Sequence, residues 1–382
     1  MERGDLEPRL TLGPRVRRSP FFEATRRWGA RSFTVYNHMY MPTGYTDPVD
    51  EYWKLVGGVT LWDVACERQI EVSGPDAARF VQYLTPRNLA RCGVGSGRYV
   101  LLTAEDGGIV NDAVLLRLGE GHFWLSPGDG DALLWAQGAA IHSGMRVQIH
   151  EPDVSPLQLQ GPRSPEVARA LFGEWAVGLG YYRLRETQLD GIPVVLARTG
   201  WSGEIGYELY LRDGRRGEEL WERIMAAGRP YEIAPIAPST IRSVEGGLLS
   251  YGSDIGRSDD PFTLGFDRLV DLDQEAEFIG KAALRRIARQ GAKRRLVGME
   301  VEGEPLAVAN AEFWPVSHAG RAVGHVTRCV YSPRLRRNIG FANVPVEASG
   351  LGTGLAVEVQ GRRRGARVVA TPFLESSRTI AR

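Results

Sequence analysis

The chain has 382 residues, of which 43% are hydrophobic and 24% charged, and its formal net charge is only +1. This length predicts two or three domains with substantial cores. The near balance of 47 basic and 46 acidic residues disfavours a nucleic-acid or membrane-surface binder, because such proteins concentrate positive charge.

Cysteine usage and hydropathy predict a cytoplasmic protein. Cys66, Cys92 and Cys329 lie far apart and form no CxxC pair, so neither a disulfide framework nor a zinc site is expected. No segment reaches the roughly 18–20 consecutive apolar residues of a membrane span. We therefore expect no bound metal and no membrane contact.

An aromatic segment follows a basic, proline-containing stretch at residues 1–32. Residues 32–43 (SFTVYNHMYMPT) are rich in aromatic and sulfur-containing side chains. Tyr36, His38 and Tyr40 in this segment are candidates for the wall of a substrate pocket. The alternative is an ordinary buried segment, which is the commoner meaning of such a pattern.

The pattern of strand, Gly-Pro turn and helix occurs twice. Residues 60–73 read as a strand, Gly-Pro follows, and residues 76–84 have helical periodicity. The same order recurs at residues 157–171 (LQLQGPRSPEVARAL). This weak internal repeat predicts two related α+β units.

A hairpin is predicted between these two units. In residues 97–118, two runs rich in Val, Leu and Ile flank Glu-Asp-Gly-Gly at 105–108, which is typical of a turn between antiparallel strands. Asn111 and Asp112 interrupt the second run just after the turn. Burying an unpaired polar group costs about 1–3 kcal/mol, so the pair indicates a partner or a ligand, or else a solvated strand end.

A glycine-rich connection, TGWSGEIGYE at residues 199–208, carries Trp201 and Glu208. Its composition favours a binding loop, and a tight β-connection is the alternative. Beyond residue 290 the pattern changes to short strands separated by Gly, Pro and Asn. We therefore predict a catalytic region at residues 1–290 and a small antiparallel β-domain at residues 291–382.

Several common catalytic motifs are absent from the sequence. It has no strand-linked dinucleotide fingerprint, no P-loop, no G-x-S-x-G elbow and no H-x-x-x-H pair among its six histidines. Redox, ATP-dependent and metal chemistry are therefore disfavoured.

Segments along nearly the whole chain resemble the folate-dependent aminomethyltransferase family, which includes the T-protein of the glycine cleavage system. The main matching segments are LWDVACERQIEVSGPDA (61–77), GRYVLLTAEDGGIVNDAVL (97–115), ARTGWSGEIGYEL (197–209), VEGGLLSYGSDI (244–255) and GHVTRCVYSPRLRRNIGFANV (324–344). Within this superfamily, TVYNHMYMPT (34–43), EPDVSPLQLQGP (151–162) and EGGLLSYGSD (245–254) look most like the bacterial dimethylsulfoniopropionate demethylases.

The resemblance implies an α+β fold arranged as a three-domain cloverleaf. Two intertwined α+β domains, one of them ferredoxin-like, and a C-terminal antiparallel β-barrel would surround a central channel that holds tetrahydrofolate. The other implied partner is a small-molecule methyl donor, and a homodimer is left open.

Carried over position by position, the resemblance implies a folate site. Glu208 matches an acid that binds pterin nitrogens, a task that suits a carboxylate because it accepts two N–H donors side by side. Tyr99 matches a tyrosine beside the pterin, and Tyr181, or else its neighbour Tyr182, matches a further aromatic residue. Trp201 stands where the family usually has tyrosine. The implied cofactor-binding set is Tyr99, Val110, Asn111, Ala113, Tyr181, Trp201 and Glu208.

The chain departs from the family pattern in two segments. Aminomethyltransferases carry Asp-Asp after the Gly-Gly turn, and the first Asp is the catalytic acid, whereas this chain has Asn111 followed by Asp112. An amide does not titrate in the useful range, so this departure points to the demethylases, which share the Asn. Ser239 and Ser243 stand at the two arginine positions of a family helix, and whether Arg242 substitutes for one stays open.

Together these features predict methyl transfer from dimethylsulfoniopropionate, or a similar methylated onium compound, to N5 of tetrahydrofolate. We expect Asn111 to orient the folate and Asp112, or a water, to accept the N5 proton. Alignment of the reactants is worth roughly 7–11 kcal/mol. Aromatic faces attract cations, and the predicted substrate-binding residues are Tyr36, His38, Tyr40 and Trp62, with Trp201 as a further aromatic candidate.

Three alternatives remain at this level. One is an aminomethyltransferase that acts on a lipoyl carrier protein, and another is a folate-dependent O- or N-demethylase. The third is a folate-binding protein without turnover, like the iron–sulfur-assembly relatives of this fold. Their K-G-C-Y-x-G-[QE] stretch is absent from the sequence, which disfavours the third.

Overall fold

The structure is a computed structural model that describes residues 10–376. Within that range the helices are α1 (Phe22–Arg27), α2 (Pro48–Gly57), α3 (Ala77–Leu84), α4 (Ala132–Ile141), α5 (Ser164–Phe172), α6 (Glu174–Val177), α7 (Gly217–Gly228), α8 (Thr240–Glu245) and α9 (Lys281–Gln290). The strands are β1 (Ser32–Tyr36), β2 (Met39–Gly44), β3 (Thr60–Asp63), β4 (Ile70–Ser73), β5 (Ser96–Thr103), β6 (Ile109–Gly119), β7 (His122–Pro127), β8 (Gln148–His150), β9 (Ser155–Gln160), β10 (Leu184–Leu189), β11 (Ile192–Ala197), β12 (Gly206–Leu211), β13 (Ala234–Pro235), β14 (Arg294–Val301), β15 (Trp314–His318), β16 (Arg321–Ser332), β17 (Arg337–Pro345), β18 (Gly354–Val359) and β19 (Arg362–Val369).

The first domain is built on a six-stranded mixed sheet with the strand order β10-β11-β12-β9-β3-β13. Strand β13 runs parallel to β3, and the other neighbours are antiparallel. Helices α5 and α7 pack against this sheet through fully buried apolar residues, which include Val167, Trp221, Leu61, Leu159 and Leu209. Burial of such side chains, at about 1.5–3 kcal/mol each, holds the helices on the sheet.

The second domain is a five-stranded antiparallel sheet with the order β5-β6-β7-β4-β8. Its core joins α3 and α4 to the sheet through Phe80, Ala136, Val100, Leu115 and Leu125. The chain leaves the first sheet after β3, builds this second sheet, and enters the first sheet again at β9. The two α+β domains are therefore intertwined, which confirms the predicted class and arrangement.

Residues 60–73, predicted as strand material, form two strands, β3 and β4, in different sheets. Strand β3 ends at Asp63, whose buried carboxylate accepts hydrogen bonds from Ser19 Oγ (2.5 Å) and the backbone N–H of Ala65 (3.1 Å). These bonds turn the chain out of the first sheet. The connection at residues 64–69 therefore crosses between the two sheets.

The hairpin predicted at residues 97–118 is confirmed as β5 and β6. Its turn places Gly107 at φ 88°, a left-handed value that glycine adopts without strain. Asn111 and Asp112 are neighbours on β6, and the Oδ1 atoms of both lie close to Gly128.

The C-terminal part is a closed antiparallel barrel with the order β14-β17-β16-β15-β18-β19, closed by pairing between β14 and β19. This confirms the predicted β-barrel. Its interior is filled by apolar side chains that include Met299, Val316, Val326, Ala342 and Val357. The first barrel strand begins at Arg294, close to the predicted boundary, and the division into residues 1–290 and 291–382 stays a prediction.

None of the helices in residues 10–376 has both the length and the apolar character needed to cross a membrane. In the same range, no group of three or more His, Cys, Asp or Glu side chains is arranged to hold a metal ion. The three cysteines are buried, and none of them forms a disulfide.

Candidate active site

Asn111 on β6 anchors the backbone loop at residues 128–130. Its side chain is fully buried, and its Nδ2 donates hydrogen bonds to the carbonyl oxygens of Asp129 (2.9 Å) and Gly128 (3.5 Å). Its Oδ1 is buried as well and has no hydrogen-bond partner in the described part of the chain. Asn111 therefore shapes the loop with its donor atoms and keeps one acceptor for a ligand.

Tyr36 and Asn37 hold the same loop from the end of β1. The backbone N–H of Asp129 donates to Tyr36 Oη (2.9 Å). Asn37 donates from its backbone N–H to Asp129 Oδ1 (2.8 Å) and from Nδ2 to the Gly128 carbonyl (2.9 Å). Its Oδ1 accepts from the N–H of Gly130 (2.7 Å). Sequence analysis missed Asn37, although an Asn with the left-handed φ of 47° in a short turn is a usable signal.

Asp112 is held by Tyr99, its neighbour on β5. Tyr99 Oη donates a hydrogen bond to Asp112 Oδ2 (2.9 Å), whereas Asp112 Oδ1 is buried without a hydrogen-bond partner among residues 10–376. Burial raises the pKa of Asp112 to about 6, because desolvation disfavours the charged carboxylate more than the bond from Tyr99 stabilises it. A carboxylate with this pKa is suited to accept a proton near neutral pH.

Gly128 keeps open the space beside the two unpartnered oxygens. A Cβ atom at this position would lie 2.8 Å from Asp112 Oδ1, 2.9 Å from Tyr251 Cβ and 3.5 Å from Asn111 Oδ1. Only glycine fits there without displacing a neighbour. Buried acceptors without a donor are uncommon in native proteins, so the two oxygens indicate a donor supplied by a ligand.

Glu208 on β12 points into the protein rather than to bulk solvent, since it is 3% exposed. Its carboxylate accepts hydrogen bonds from Gln158 Nε2 (2.9 Å), Thr199 Oγ1 (2.5 Å) and Tyr210 Oη (2.6 Å). Burial raises the pKa of Glu208, and these three bonds oppose that rise. The hydrogen bonds fix the direction of the carboxylate and leave one lone pair, on Oε1, for a further donor.

Glu67, on the connection between β3 and β4, is a site residue that sequence analysis missed. Ser126 Oγ donates to its Oε2 (3.0 Å). Burial raises the pKa of Glu67 well above its usual range, and the negative charges on Glu208 and Asp112 raise it further. Glu67 and Asp112 keep some accessible surface despite this desolvation. We refer to the space between Glu67, Asn111, Asp112 and Glu208 as the recess.

Trp201 lies beside Glu208 because both are held by Gln158. The backbone N–H of Trp201 donates to Gln158 Oε1 (3.3 Å), and its indole Nε1 donates to the carbonyl of Leu249 (3.2 Å). Trp62 belongs to the apolar cluster against which Trp201 packs. It is fully buried, so its predicted contact with substrate stays a prediction.

The other predicted folate-binding residues lie around the second sheet. Val110 and Ala113 pack in the apolar core of that domain. Tyr181 contacts Tyr182 with 4.6 Å between ring centroids, and it is the Tyr182 ring that lies over Gly97, 3.4 Å from where a Cβ would be. Tyr182 is thus the aromatic residue adjacent to the strand that carries Tyr99. The folate contacts of Val110, Ala113 and Tyr181 stay predictions.

His38 and Tyr40 lie apart from the recess. The His38 side chain is 67% exposed, with its Nε2 3.6 Å from Asp131 Oδ1. Tyr40 is buried, and its Oη accepts a hydrogen bond from the backbone N–H of Gly13 (2.7 Å). Of the four predicted substrate-binding residues, Tyr36 is the one that the structure joins directly to the loop at residues 128–130, and the roles of the others stay predictions.

Arg242 is committed to an internal ion pair. It is buried, and its Nε donates to Glu204 Oε1 (2.7 Å). The guanidinium that contacts Ser243 comes instead from the barrel, where Arg328 of β16 donates to Ser243 Oγ (3.0 Å) and pairs with Asp254. The barrel therefore places positive charge at a helix position where the family pattern has its own arginine.

The residues of this recess fit tetrahydrofolate. A reduced pterin carries N–H donors on its pyrimidine ring and at N5. Glu208 offers its remaining lone pair on Oε1 for the first group, and the unpartnered Oδ1 atoms of Asn111 and Asp112 offer acceptors for a second donor. Gly128 keeps the space beside these oxygens open.

Two family models match the chain. Residues 21–274 match the GCVT N-terminal domain, and residues 294–375 match the glycine cleavage T-protein C-terminal barrel domain. Fold, recess and matches define an enzyme that transfers one-carbon units with tetrahydrofolate as its cofactor. The chain belongs to the glycine cleavage T-protein family, which confirms the resemblance seen in the sequence.

Relatives with two different activities are similar over nearly the whole chain. The dimethylsulfoniopropionate demethylase of Ruegeria pomeroyi is 37% identical over 344 residues, which are 90% of this chain and 93% of that protein. An aminomethyltransferase of Symbiobacterium thermophilum is 32% identical over 379 residues, covering 94% of this chain and 98% of that protein. The solved aminomethyltransferase T of the glycine cleavage system from Bartonella henselae has a TM-score of 0.85 at 25% identity, covering 94% of this chain and 99% of that chain.

Proposed function

We propose that this enzyme transfers a methyl group from dimethylsulfoniopropionate, or a similar methylated onium compound, to N5 of tetrahydrofolate. The observation that carries the proposal is Asn111, a fully buried amide whose nitrogen is bonded to loop carbonyls. Acid-assisted aminomethyl transfer needs a titratable group there, and an amide has none in the useful range. The 37% identity to a dimethylsulfoniopropionate demethylase supports the same conclusion.

A sulfonium donor suits this site because its leaving group needs no acid. The bond from N5 to the methyl carbon forms while the S–CH3 bond breaks, and the electron pair of the broken bond stays on sulfur. The thioether departs neutral, and the proton from N5 passes to Asp112. Bound tetrahydrofolate supplies the nucleophilic nitrogen.

The protein's main contribution is alignment of the two reactants. Tyr99 fixes Asp112, and Asn111 fixes the loop at residues 128–130. Glu208 is fixed by three hydrogen bonds of its own. Holding reactants in line in this way is worth roughly 7–11 kcal/mol of barrier.

A donor screen tests the proposal. The enzyme is incubated with tetrahydrofolate and, separately, dimethylsulfoniopropionate, a quaternary ammonium compound and a methoxylated aromatic compound, and the folate products are identified by mass spectrometry. We expect 5-methyltetrahydrofolate and methylmercaptopropionate with the sulfonium. If the enzyme demethylates another methylated donor and not the sulfonium, the proposed donor is wrong, but the proposed reaction class, methyl transfer to tetrahydrofolate, stands.

The second candidate is an aminomethyltransferase, since a relative with that name is 32% identical over 94% of the chain. This function predicts methylenetetrahydrofolate and ammonia from an aminomethylated lipoyl carrier protein. Formation of these products by the unmodified enzyme, with no methyl transfer from onium donors, would favour it. A cytoplasmic location and a homodimer stay predictions.

A further inference from the structure

Glu67 is a carboxylate in the recess for which folate binding provides no role. Ser126 Oγ donates to its Oε2 over 3.0 Å. Ser126 also contacts Tyr210, whose hydroxyl donates to Glu208 over 2.6 Å. A continuous chain of side-chain contacts therefore joins Glu67 to the residue predicted to bind the pterin.

The recess holds three carboxyl groups without a matching positive partner. Among residues 10–376, no Arg, Lys or His side chain forms an ion pair with Glu67, Asp112 or Glu208. Desolvated carboxylates without a counter-charge are unfavourable. Without a counter-charge such groups tend to hold a proton, and a cationic ligand beside them would favour their ionised form and be attracted by it.

Gln69 supplies an independent observation. Its side chain is fully buried, and its Nε2 donates to Ser126 Oγ (2.8 Å) and to the Glu67 carbonyl (2.5 Å). Its Oε1 is buried and has no hydrogen-bond partner in the described range. A sulfonium has no N–H to donate, but the positive charge on its sulfur and methyl groups attracts both a carboxylate and an amide oxygen.

We propose that Glu67 determines the donor specificity of this enzyme: its carboxylate, with Gln69 Oε1, holds the cationic sulfonium or quaternary ammonium group and selects it over neutral groups of the same shape. This inference rests on the proposed function. It assigns Glu67 to the donor, Asp112 to the N5 proton and Glu208 to the folate.

The charge on the donor has a direct kinetic consequence. The positive charge that Glu67 binds is lost from sulfur as the S–CH3 bond breaks, so the attraction is strongest in the ground state. An interaction that is stronger in the ground state than in the transition state lowers KM and also lowers kcat. Glu67 thus captures the cation and allows the neutral thioether to leave.

Binding of two isosteres tests this assignment without turnover. Calorimetry measures the Kd of dimethylsulfoniopropionate and of 4-methylpentanoate, in which an uncharged CH group replaces the sulfonium sulfur and the carboxylate is kept. The enzyme is saturated with folic acid, which is not a methyl acceptor at N5. We expect the wild type to prefer the cation by about tenfold or more, and Glu67→Gln to reduce that ratio toward one. The Kd for folic acid should not change, which shows that the variant is folded.

Glu71→Gln is the matched control. Glu71 lies on β4, where its carboxylate faces His122 and Trp124 rather than the recess, so removal of its charge should leave the ratio at the wild-type value. In turnover, Glu67→Gln should raise KM for the sulfonium without lowering kcat. A wild-type enzyme that binds both isosteres equally or neither, or a Glu67→Gln variant that retains the wild-type ratio, overturns the inference. A different result would contradict the proposed function itself, namely that no onium donor yields 5-methyltetrahydrofolate.

Discussion

Tyr99 and Asp112 are joined across the β5–β6 hairpin by a hydrogen bond of 2.9 Å from the phenol to the carboxylate. The bond occupies one carboxylate oxygen and leaves the other, Oδ1, buried and without a partner in the described chain. The paired strands therefore hold Asp112 in place with its Oδ1 free to accept a hydrogen bond, and burial raises the pKa of this carboxylate to about 6.

The pH dependence of turnover follows from this pair. The pKa of Asp112 is raised to about 6 by burial, so the carboxylate is protonated below that pH and cannot accept the N5 proton. We expect kcat/KM to be level above pH 7 and to fall about tenfold per pH unit well below pH 6. Tyr99→Phe removes a bond that favours the ionised form and should move this acidic limb toward higher pH by up to about one unit. A limb that does not move in the variant would contradict the role of Tyr99.

Asp112→Asn should stabilise the protein while it slows catalysis. Because the folded-state pKa is raised from 3.8 to about 6, the ionised carboxylate lowers the free energy of unfolding above pH 6 by about 2–3 kcal/mol. The gain from Asn should therefore be present at pH 7.5 and shrink at pH 5, as measured by urea unfolding. Asp131→Asn is the control, since that side chain is 72% exposed and should give little change at either pH. A variant that is less stable than the wild type at pH 7.5 would contradict the assignment.

Asn111→Asp distinguishes the two candidate functions. If the enzyme were an aminomethyltransferase lacking its acid, the restored carboxylate should raise methylenetetrahydrofolate formation from an aminomethylated carrier. The demethylase account instead predicts no such gain and a loss of methyl transfer, because the Nδ2 donor to the Asp129 carbonyl disappears. Removing one partner of a buried hydrogen bond costs about 1–3 kcal/mol. Both products are quantified by mass spectrometry.

Glu208→Gln should weaken folate binding. The amide keeps one acceptor but replaces the other with a donor that faces Thr199 and Tyr210, so we expect the Kd for tetrahydrofolate to rise on the order of 10–100-fold. Glu186→Gln, a change at a half-exposed carboxylate that pairs with Arg212, should have no effect. Unchanged folate affinity in the Glu208 variant would remove this residue from the folate site.

Gly128→Ala tests whether the space beside Asn111 Oδ1 and Asp112 Oδ1 is needed for catalysis. The new methyl group would lie 2.8 Å from Asp112 Oδ1, so either the loop or the carboxylate must move, and we expect kcat/KM to fall by about tenfold or more. Gly138→Ala in α4 is the control, because a Cβ there meets nothing within 4 Å and alanine favours a helix. Wild-type activity in the Gly128 variant would show that the space is not used.

Local pattern was sufficient for the hairpin and for an antiparallel β-domain at the C-terminal end, whereas the closure of that domain into a barrel was implied by the family resemblance. Apolar runs on either side of 105–108 define β5 and β6, and the change to short strands beyond residue 290 indicates the β-domain. These signals lie within a few residues of the structure that they specify, so a single sequence carries them.

The end of β3 and the composition of the recess depend on contacts between residues that are distant in sequence. Asp63 ends β3 because Ser19, 44 residues earlier, donates to it, and Glu67 joins the recess through Ser126, 59 residues later. Asn37 holds a loop about 90 residues away. No local pattern encodes such pairings. The sequence also suggests that Asn111 and Asp112 act as a pair, and their Oδ1 atoms do lie close together beside Gly128.

Isotope transfer tests the central claim most directly. The enzyme is given tetrahydrofolate and dimethylsulfoniopropionate with fully deuterated S-methyl groups, and the folate product is weighed by mass spectrometry. Direct transfer predicts 5-methyltetrahydrofolate that carries all three deuterons of one methyl group, with Asp112→Asn much slower. A folate product without the label, or methylenetetrahydrofolate in its place, would contradict methyl transfer at this site.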